Sequence, residues 1–254
     1  MDIEPEVLAL VQHAKRVTIL TGAGVSAESG VATFRSYKEE TKESLWSQYD
    51  PQKMASIDGF LENPNRVWQW YQWRRSELKT KKPNEAHKAI AKWQESKTLS
   101  SKNQNVTLIT QNVDGLHQAG GSKDVIELHG NIWRNHCLQC LAEYNGEVDG
   151  VDLEEREEVI ECPECGGQIR PSVVWFGEAL PEQAWRDAES ASYSCDLFLS
   201  VGTSSQVYPA AGLAALAKSQ GATVIEINPE PTKSSVVDYC IAGKAGEVLS
   251  ILNT

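Results

Sequence analysis

The chain has 254 residues, 41% of them hydrophobic, and a formal net charge of −11 at pH 7. This length can bury a large core and is compatible with one α/β domain that carries an insertion. The acidic balance opposes binding to a nucleic-acid backbone, so no nucleic-acid partner is expected. No stretch approaches the roughly 20 apolar residues of a membrane span, and the start lacks the pattern of a secretory signal. The sequence therefore predicts a cytoplasmic protein without a membrane partner.

The first predicted strand is the apolar, β-rich run Val17–Leu20. It leads into Gly22-Ala23-Gly24 and then Ala27, which form the G-x-G-x-x-A pattern of a dinucleotide-binding turn. Glycines at these positions let the backbone approach a pyrophosphate, whose charge is met by N–H groups at the start of a helix. A glycine-rich turn between a strand and a helix also explains these residues without any ligand.

Residues 36–93 are predicted to form a helical insertion rich in tryptophan, in which Asn63 and Pro64 suit an N-cap and a first helical position. The insertion occupies the place where an ordinary Rossmann fold has a second strand ending in an acidic, ribose-binding residue. A dehydrogenase is therefore a weaker interpretation. Ribose recognition could pass instead to Asn228 or Glu230, which follow a late strand.

Later apolar runs alternate with helical stretches such as Ala210–Ser219, and they predict the buried parallel strands Val106–Ile109, Val125–Leu128, Leu197–Val201 and Val224–Ile227. This alternation predicts an α/β fold with a Rossmann-like, doubly wound parallel sheet. We assign residues 1–35, 94–132 and 171–254 to this Rossmann-like domain. Polar turns follow three of the strands, and ligands of such sheets bind outside the carboxyl ends of the strands. These turns are Gln111–Asp114, Gly202–Ser204 and Asn228–Glu230.

Residues 133–170 carry two tight cysteine pairs, Cys137/Cys140 and Cys162/Cys165. Paired two-residue gaps of this kind let four thiolates bind one tetrahedral Zn²⁺, which predicts a small zinc-binding module. A complete thiolate set leaves no open coordination position, so the metal would be structural. Two disulfides or four unrelated core cysteines are the alternative.

These motifs, in this order, closely resemble the sirtuins, which are NAD-dependent protein lysine deacylases. The resemblance covers nearly the whole chain: Gly22–Gly30 with Thr33-Phe34-Arg35, Thr110–His117, Glu127–Gly130, the cysteine pairs, Val173–Glu178, Gly202–Ser204 and Asn228-Pro229. It implies a Rossmann-like NAD-binding domain, NAD as co-substrate, a structural Zn²⁺, and acyl-lysine proteins or peptides as substrates.

The resemblance also implies a reaction in which the acyl oxygen attacks C1′ of the nicotinamide ribose. Nicotinamide leaves, and free lysine and 2′-O-acyl-ADP-ribose are formed. It assigns His129 as the base, which suits an imidazole at neutral pH, and Asn112 as a catalytic residue that orders the ribose and its water. The implied cofactor-binding residues are Gly22, Ala23, Gly24, Ala27, Glu28, Thr33, Phe34, Arg35, Gln111, Asn112, Val113, Asp114, Gly202, Thr203, Ser204, Asn228, Pro229, Glu230 and Ala245.

Substrate is expected, by resemblance, to pair its backbone with the extended edge Val173–Glu178, where Val174, Phe176, Gly177 and Glu178 are the contact residues. In the insertion, Tyr71 and Arg74 are spaced i, i+3 on one helix face. This pair is similar to the Tyr-x-x-Arg of sirtuins that remove succinyl and malonyl groups, because a guanidinium and a phenol can hold a distal carboxylate. Arg75, about 100° around the helix, is expected to matter little for acyl preference.

Three other interpretations remain open at this point. A plain deacetylase would have the same motifs without a preference for acidic acyl groups. A zinc-knuckle adaptor would explain the cysteines but not the glycine-rich turn or His129. ADP-ribosyl transfer to protein shares the step in which nicotinamide leaves.

Phe34, placed by the resemblance in a loop over the cofactor, could also be an ordinary core aromatic.

Overall fold

A computed structural model describes residues 3–32, 51–99, 105–146 and 158–252. The predicted cofactor-loop residues Thr33, Phe34 and Arg35 lie outside these ranges. The described helices are α1 (Pro5–His13), α2 (Ala23–Ala27), α3 (Pro51–Met54), α4 (Ile57–Glu62), α5 (Pro64–Lys79), α6 (Glu85–Leu99), α7 (Leu116–Ala119), α8 (Glu182–Ser194), α9 (Gly212–Ser219) and α10 (Ala245–Leu252).

The main sheet of the described chain has six parallel strands in the order β3-β2-β1-β7-β8-β9. Each of the five predicted runs forms one of these strands, so the predicted doubly wound α/β fold is confirmed. The sixth, β9, was not predicted, because three residues are too few for a periodic signal. The strands are β1 (Arg16–Thr21), β2 (Asn105–Thr110), β3 (Ile126–Glu127), β7 (Leu197–Val201), β8 (Thr223–Ile227) and β9 (Tyr239–Ile241).

Two hydrophobic clusters cover the two faces of this sheet. One face packs against α1, α6 and α10, which contribute residues such as Val11, Ile90 and Leu249. The other packs against α8 and α9, with Ala188 and Leu213 in the cluster. A strand buried on both faces is mostly apolar, and β7 is buried at every position.

The strand order reverses beside β1, which has β2 on one side and β7 on the other. The chain after β1 leads to α2 on one face of the sheet, and the chain after β7 leads to α9 on the other face. A crevice at such a switch point is where open α/β sheets bind ligands. The fold thus brings the glycine-rich turn and the Gly202 turn to a common site.

A second sheet is antiparallel, with the order β5-β4-β6 among the described residues. Its strands are β4 (Gly130–Cys137), β5 (Glu143–Tyr144) and β6 (Ile169–Val173). Helix α5 packs beside it, because Trp68 is fully buried in a cluster with Cys137, Cys162 and Ile169. The helices of the insertion and the cysteine module therefore share packed surfaces.

Helix α5 begins as the sequence predicts. The Asn63 side chain accepts a hydrogen bond from the Arg66 N–H at 3.0 Å, and Pro64 is the first helical residue. Helix α6 contributes Ala86, Ile90 and Trp93 to the cluster on the main sheet, so the predicted boundary after residue 93 lies within a helix. The three-part domain division stays a prediction. None of the described helices is long and apolar enough to cross a bilayer.

Candidate active site and metal centre

Three glycines bring the turns after β1 and β7 into contact. The Gly24 N–H donates to the Gly202 carbonyl oxygen at 2.8 Å. A Cβ atom added at Gly22 or Gly24 would lie 2.8 Å or 2.7 Å from that same oxygen, closer than real contacts allow. Gly202 also has a φ of +60°, which favours glycine. The close approach of two backbones therefore requires these glycines, while Ala23 and Ala27 of the same turn are exposed.

The turn after β2 is tied to the glycine-rich turn through Ser26. Asp114 is buried, and its Oδ2 accepts from the Ser26 hydroxyl at 2.7 Å while its Oδ1 accepts from the Leu116 N–H at 2.9 Å. Asn112 Nδ2 donates to the Gly22 carbonyl at 3.0 Å and lies 3.1 Å from Ser26 Oγ. The structure thus brings Asn112 and Asp114 together and adds Ser26, which the sequence analysis did not single out. Its polar side chain inside the glycine-rich motif was the available signal.

Thr203 connects the turns after β2, β7 and β8. Its hydroxyl accepts from Gln111 Nε2 at 3.1 Å, and its carbonyl accepts from Asn228 Nδ2 at 2.9 Å. Asn228 Oδ1 in turn accepts from the Glu230 N–H at 3.2 Å. Each end of the Asn228 amide therefore has one hydrogen bond to neighbouring backbone and keeps the capacity for another, so ribose recognition by this side chain stays a prediction. Ser204 is half-buried next to this junction.

Pro229 and Glu230 are exposed at the end of the β8 turn. Glu28 and Ala245, also predicted to bind the cofactor, are close to each other. Glu28 Oε2 accepts from the Gly246 N–H at 3.2 Å, at the start of helix α10, and Ala245 is buried there. This contact joins the glycine-rich turn to the last helix. It is favourable because a negative charge is stabilised near the N-terminus of a helix.

His129 lies half-buried between β3 and β4. Its Nδ1 is 3.0 Å from the carbonyl oxygen of Gln111, which can only accept, so Nδ1 carries the hydrogen and Nε2 holds a lone pair. Burial lowers the pKa of His129 below its ordinary value, and the Gln111 carbonyl opposes this shift. The imidazole is therefore neutral at pH 7 with Nε2 ready to accept a proton. Gly130 follows at φ +76°, where a Cβ would collide with the Ser172 carbonyl.

Two other histidines, His87 and His117, form a fully buried pair with ring centroids 4.7 Å apart. His117 Nε2 lies 2.9 Å from Thr21 Oγ1, which donates to Thr110 Oγ1 at 2.8 Å. Burial lowers the pKa of His87 to about 4 and that of His117 to about 3. Unfolded histidines titrate near 6.5, so their neutral burial stabilises the fold above that pH. This stabilisation is lost as the pH falls toward 4, because the unfolded chain then binds more protons.

The predicted substrate-contact residues follow β6. The Val174 N–H donates to the His129 carbonyl at 2.9 Å, and the Phe176 N–H donates to the Ala55 carbonyl at 2.8 Å. The Phe176 side chain is 49% exposed, and Gly177 is exposed with a φ of +87°. The backbone N–H of Trp175, between Val174 and Phe176, donates to Glu178. Three consecutive N–H groups of this segment are thus already bonded within the protein, and pairing with a peptide backbone stays a prediction.

Glu178 folds back onto its own segment. Its carboxylate pairs with Arg170, which is buried, and accepts from the Trp175 N–H at 2.7 Å. Burial alone would raise the pKa of Glu178, but the hydrogen bonds from Arg170 and Trp175 bring it below its ordinary value. The sequence predicts Glu178 as a substrate contact and gives no signal for its partner Arg170. In the structure the pair fixes the turn that carries Trp175 and Phe176.

Tyr71 and Arg74 lie close together at the core of the insertion. Tyr71 is 1% exposed, and its hydroxyl accepts from Trp175 Nε1 at 2.9 Å. Burial raises the pKa of Tyr71 to about 12, partly opposed by the charge of Arg74. The phenol therefore stays protonated and can donate. The half-buried Arg74 places its guanidinium carbon 5.1 Å from the centroid of the Trp70 ring.

Arg75 is buried rather than directed to solvent, so its replacement is expected to affect stability, while its small effect on acyl preference stays a prediction. It is 1% exposed, and its guanidinium donates to the Ile132 carbonyl at 2.7 Å, to Asn135 Oδ1 at 2.6 Å and to Gln72 Oε1 at 3.1 Å. Helical geometry does turn Arg75 away from Tyr71. However, the Arg75 side chain points into the packed contact between α5 and β4. The helical period alone does not show that another element packs on that side of the helix.

The four predicted cysteines form one cluster, with Sγ atoms all within 4.8 Å of one another. Cys137 and Cys165 have sulfurs 3.6 Å apart, and Cys140 and Cys162 have sulfurs 3.7 Å apart. A tetrahedral Zn²⁺ with thiolate bonds near 2.3 Å requires sulfur separations of about 3.8 Å. None of the cysteines is in a disulfide. The four thiols are therefore positioned to bind one zinc ion with no coordination position left for a reactant.

Comparison with known proteins agrees with this arrangement. The model of the Sir2 family matches residues 22–209. NAD-dependent protein deacylase 1 of Pseudomonas aeruginosa is 48% identical over 247 residues, which cover 96% of this chain and 95% of the relative. An NAD-dependent protein deacylase of Methylococcus capsulatus is 42% identical and covers 99% of this chain and 96% of its own.

Solved structures extend the likeness to the fold. A Sir2 homologue in complex with NAD aligns with a TM-score of 0.87 and 38% identity, covering 99% of this chain and 93% of that chain. A Sir2 protein in complex with a p53 peptide and NAD⁺ aligns with a TM-score of 0.80 and 30% identity, covering 99% of this chain and 97% of its own. Fold, site and sequence all agree, and the chain belongs to the Sir2 family.

Proposed function

We propose that this protein is an NAD-dependent protein lysine deacylase that removes succinyl and malonyl groups, and acetyl groups more weakly. Its products would be free lysine, nicotinamide and 2′-O-acyl-ADP-ribose. The observation that carries the proposal is the position of His129, whose Nδ1 is bonded to the Gln111 carbonyl beside the switch point of the sheet. Relatives named NAD-dependent protein deacylase support the same activity.

The crevice has the chemistry that a dinucleotide needs. Its polar side chains are mostly neutral: Ser26, Gln111, Asn112 and Thr203 contribute hydroxyl and amide groups. Asp114, the buried carboxylate among them, is already bonded by the Ser26 hydroxyl and a backbone N–H. A pyrophosphate would therefore meet donors and little opposing charge. We propose that these residues and the three glycines hold NAD, together with the other predicted cofactor residues.

In the proposed mechanism, bound NAD⁺ supplies the ribose C1′ that the acyl oxygen attacks as nicotinamide leaves. His129 is the base, because its Nε2 lone pair can take a proton from a ribose hydroxyl. Asn112 is held by the Gly22 carbonyl and Ser26, so its amide has a fixed orientation in which to order the ribose. Preorganised groups of this kind need no rearrangement when charge develops.

The acyl preference is proposed from Tyr71 and Arg74. The Tyr71 phenol is buried and protonated, and Arg74 adds a positive charge beside it. A carboxylate that entered this site without partners would lose its hydration at a prohibitive cost. With a guanidinium and a phenol as donors, the same carboxylate would be stabilised, whereas an acetyl group has no charge to be recognised. A preference for acidic acyl groups follows.

Zinc is proposed to be structural, bound by Cys137, Cys140, Cys162 and Cys165, since a four-thiolate site leaves nothing free for chemistry. A cytoplasmic location is part of the same proposal, because reducing conditions keep thiols available to metal. Substrates are proposed to be acyl-lysine proteins or peptides, bound along the segment that follows β6. Neither a membrane nor a nucleic acid is proposed as a partner.

Replacing Arg74 by methionine tests the acyl preference. A charge-assisted contact contributes on the order of 1.5–3 kcal/mol, so kcat/KM for a succinyl-lysine peptide should fall roughly ten- to a hundred-fold. Acetyl-lysine turnover should change much less. The matched control is Arg66→Met, the same change at an exposed position in the first turn of the same helix. Equal losses on both peptides would favour the plain deacetylase.

Mass spectrometry of the products tests the reaction class. An acylated peptide incubated with NAD⁺ should lose its acyl group, and nicotinamide and 2′-O-acyl-ADP-ribose should appear in equal amounts. ADP-ribosyl transfer would instead leave ADP-ribose on protein, and a dehydrogenase would form NADH without nicotinamide. A zinc-knuckle adaptor would consume no NAD⁺ at all.

A further inference from the structure

Trp175 is bonded directly to the hydroxyl that the proposed acyl pocket uses. Its indole Nε1 lies 2.9 Å from the Tyr71 oxygen, and both side chains are 1% exposed. The two rings are 6.4 Å apart between centroids and inclined by 34°, so they are not stacked face to face. The hydrogen bond is thus a specific contact between two fully buried aromatic side chains.

The direction of this hydrogen bond decides what the phenol can do. An indole N–H can donate and cannot accept, so Tyr71 must use a lone pair toward Trp175. The phenolic hydrogen then has to point elsewhere, and the oxygen has no second hydrogen-bond partner among the described residues. Because the pKa of Tyr71 is raised to about 12, the hydrogen is present at all physiological pH values. With Trp175 on its acceptor side, the Tyr71 hydroxyl keeps its hydrogen for donation to another group.

We propose that Trp175 is a positioning residue for acyl selectivity, which directs the Tyr71 hydroxyl to donate to the distal carboxylate of the acyl group. This inference rests on the proposed function, in which Tyr71 contacts that carboxylate. Trp175 itself touches no reacting atom. Its contribution is to occupy the acceptor side of the phenol, so that the hydrogen is already directed away when substrate enters.

The surroundings of Trp175 hold the indole in place for this role. The Arg170 guanidinium lies over its ring, 3.3 Å from the centroid. Glu178 pairs with Arg170 and also accepts from the backbone N–H of Trp175. The Phe60 ring packs against the Trp175 indole, with the two ring centroids 5.2 Å apart. A cation over the face of an indole draws electron density from the ring and strengthens its N–H as a donor.

The test replaces Trp175 by phenylalanine, which keeps an aromatic ring and removes the N–H. A neutral hydrogen bond contributes a net effect of roughly three- to ten-fold. We expect KM for a succinyl-lysine peptide to rise by that factor with kcat little changed, so the succinyl-to-acetyl ratio of kcat/KM falls. The control is Trp68→Phe. Trp68 is also buried beneath an arginine, but its Nε1 has no acceptor among the described residues.

A double-mutant cycle separates positioning from packing. In a Tyr71→Phe background, Trp175→Phe should have no further effect on the ratio, because the hydroxyl through which it acts is gone. An undiminished effect there would overturn the inference, as would an unchanged ratio in Trp175→Phe alone. If that variant does not fold, benzothienylalanine at position 175 keeps the ring shape without the N–H and serves the same comparison.

The outcomes also separate this inference from the proposed function. A wild-type enzyme that prefers succinyl-lysine while Trp175→Phe retains the full ratio would refute positioning and leave the acyl pocket standing. A wild-type enzyme without any preference for acidic acyl groups would overturn both proposals. A fall in the ratio for Trp68→Phe equal to that for Trp175→Phe would show a general packing effect and would also count against positioning.

Discussion

Arg75→Met is expected to destabilise the fold by about 3 kcal/mol. The guanidinium supplies three hydrogen bonds to neutral acceptors: the Ile132 carbonyl, Asn135 and Gln72. Methionine fills a similar volume but offers none of these donors. Three buried oxygens would then be left without a partner at the contact between helix α5 and strand β4.

The magnitude follows from two opposing effects. Each orphaned acceptor costs roughly 2 kcal/mol, which gives about 6 kcal/mol in total. Against this, burial lowers the pKa of Arg75 from 12.5 to about 10, and removing the charge recovers a desolvation cost of about 3 kcal/mol. The net loss is therefore about 3 kcal/mol, equivalent to roughly 6–12 °C in Tm for a chain of this size.

Urea denaturation followed by circular dichroism measures this loss, with Arg74→Met as the matched control on the same helix. Arg74 is half-buried over Trp70, so its replacement should cost below about 1 kcal/mol. Replacing Arg75 should thus lower stability, whereas replacing Arg74 should mainly change acyl preference. An Arg75→Met protein as stable as wild type would refute the account of this network.

Three further outcomes are expected. Metal analysis should find one Zn²⁺ per chain, and Cys162→Ser should lower both zinc content and thermal stability, whereas metal-free protein of full stability would contradict the site. His129→Ala should reduce deacylation by about 10²–10⁴-fold without loss of circular dichroism signal; wild-type turnover would remove it as the base. Between neutral pH and about pH 5, urea stability should fall by about 2 kcal/mol for each buried histidine. His117→Gln should lessen this loss and His13→Gln, at an exposed position, should not.

The sequence was informative wherever a feature is local. Apolar runs predict the strands because burial on both sheet faces leaves a continuous pattern, and the cysteine spacing predicts the Sγ cluster. The N-cap at Asn63 depends on residues three apart. Strand β3 is shorter than predicted, Ile126–Glu127 instead of Val125–Leu128, because it is an edge strand that pairs only with β2 in the described chain.

Features that depend on distant residues were not accessible in the same way. Helical period correctly turns Arg75 away from Tyr71, but its acceptor on Asn135 is 60 positions along the chain. The Ser26 hydroxyl meets Asp114 at a separation of 88 positions. Such contacts exist only once two elements have packed, so a pattern of residue types along one element contains no trace of them. The NAD contacts of individual residues stay predictions for the same reason.

The two sides of helix α5 have a consequence for how acyl preference can change in evolution. Trp68, Gln72 and Arg75 lie on a stripe that faces the cysteine module and β4, whereas Tyr71 and Arg74 lie on the neighbouring stripe. In the proposed acyl pocket, the half-buried Arg74 can be exchanged while the stripe that anchors the helix stays constant. Tyr71 is buried and bonded to Trp175, so exchange of Arg74 is expected to alter the substrate range at a lower cost in stability than exchange of Tyr71.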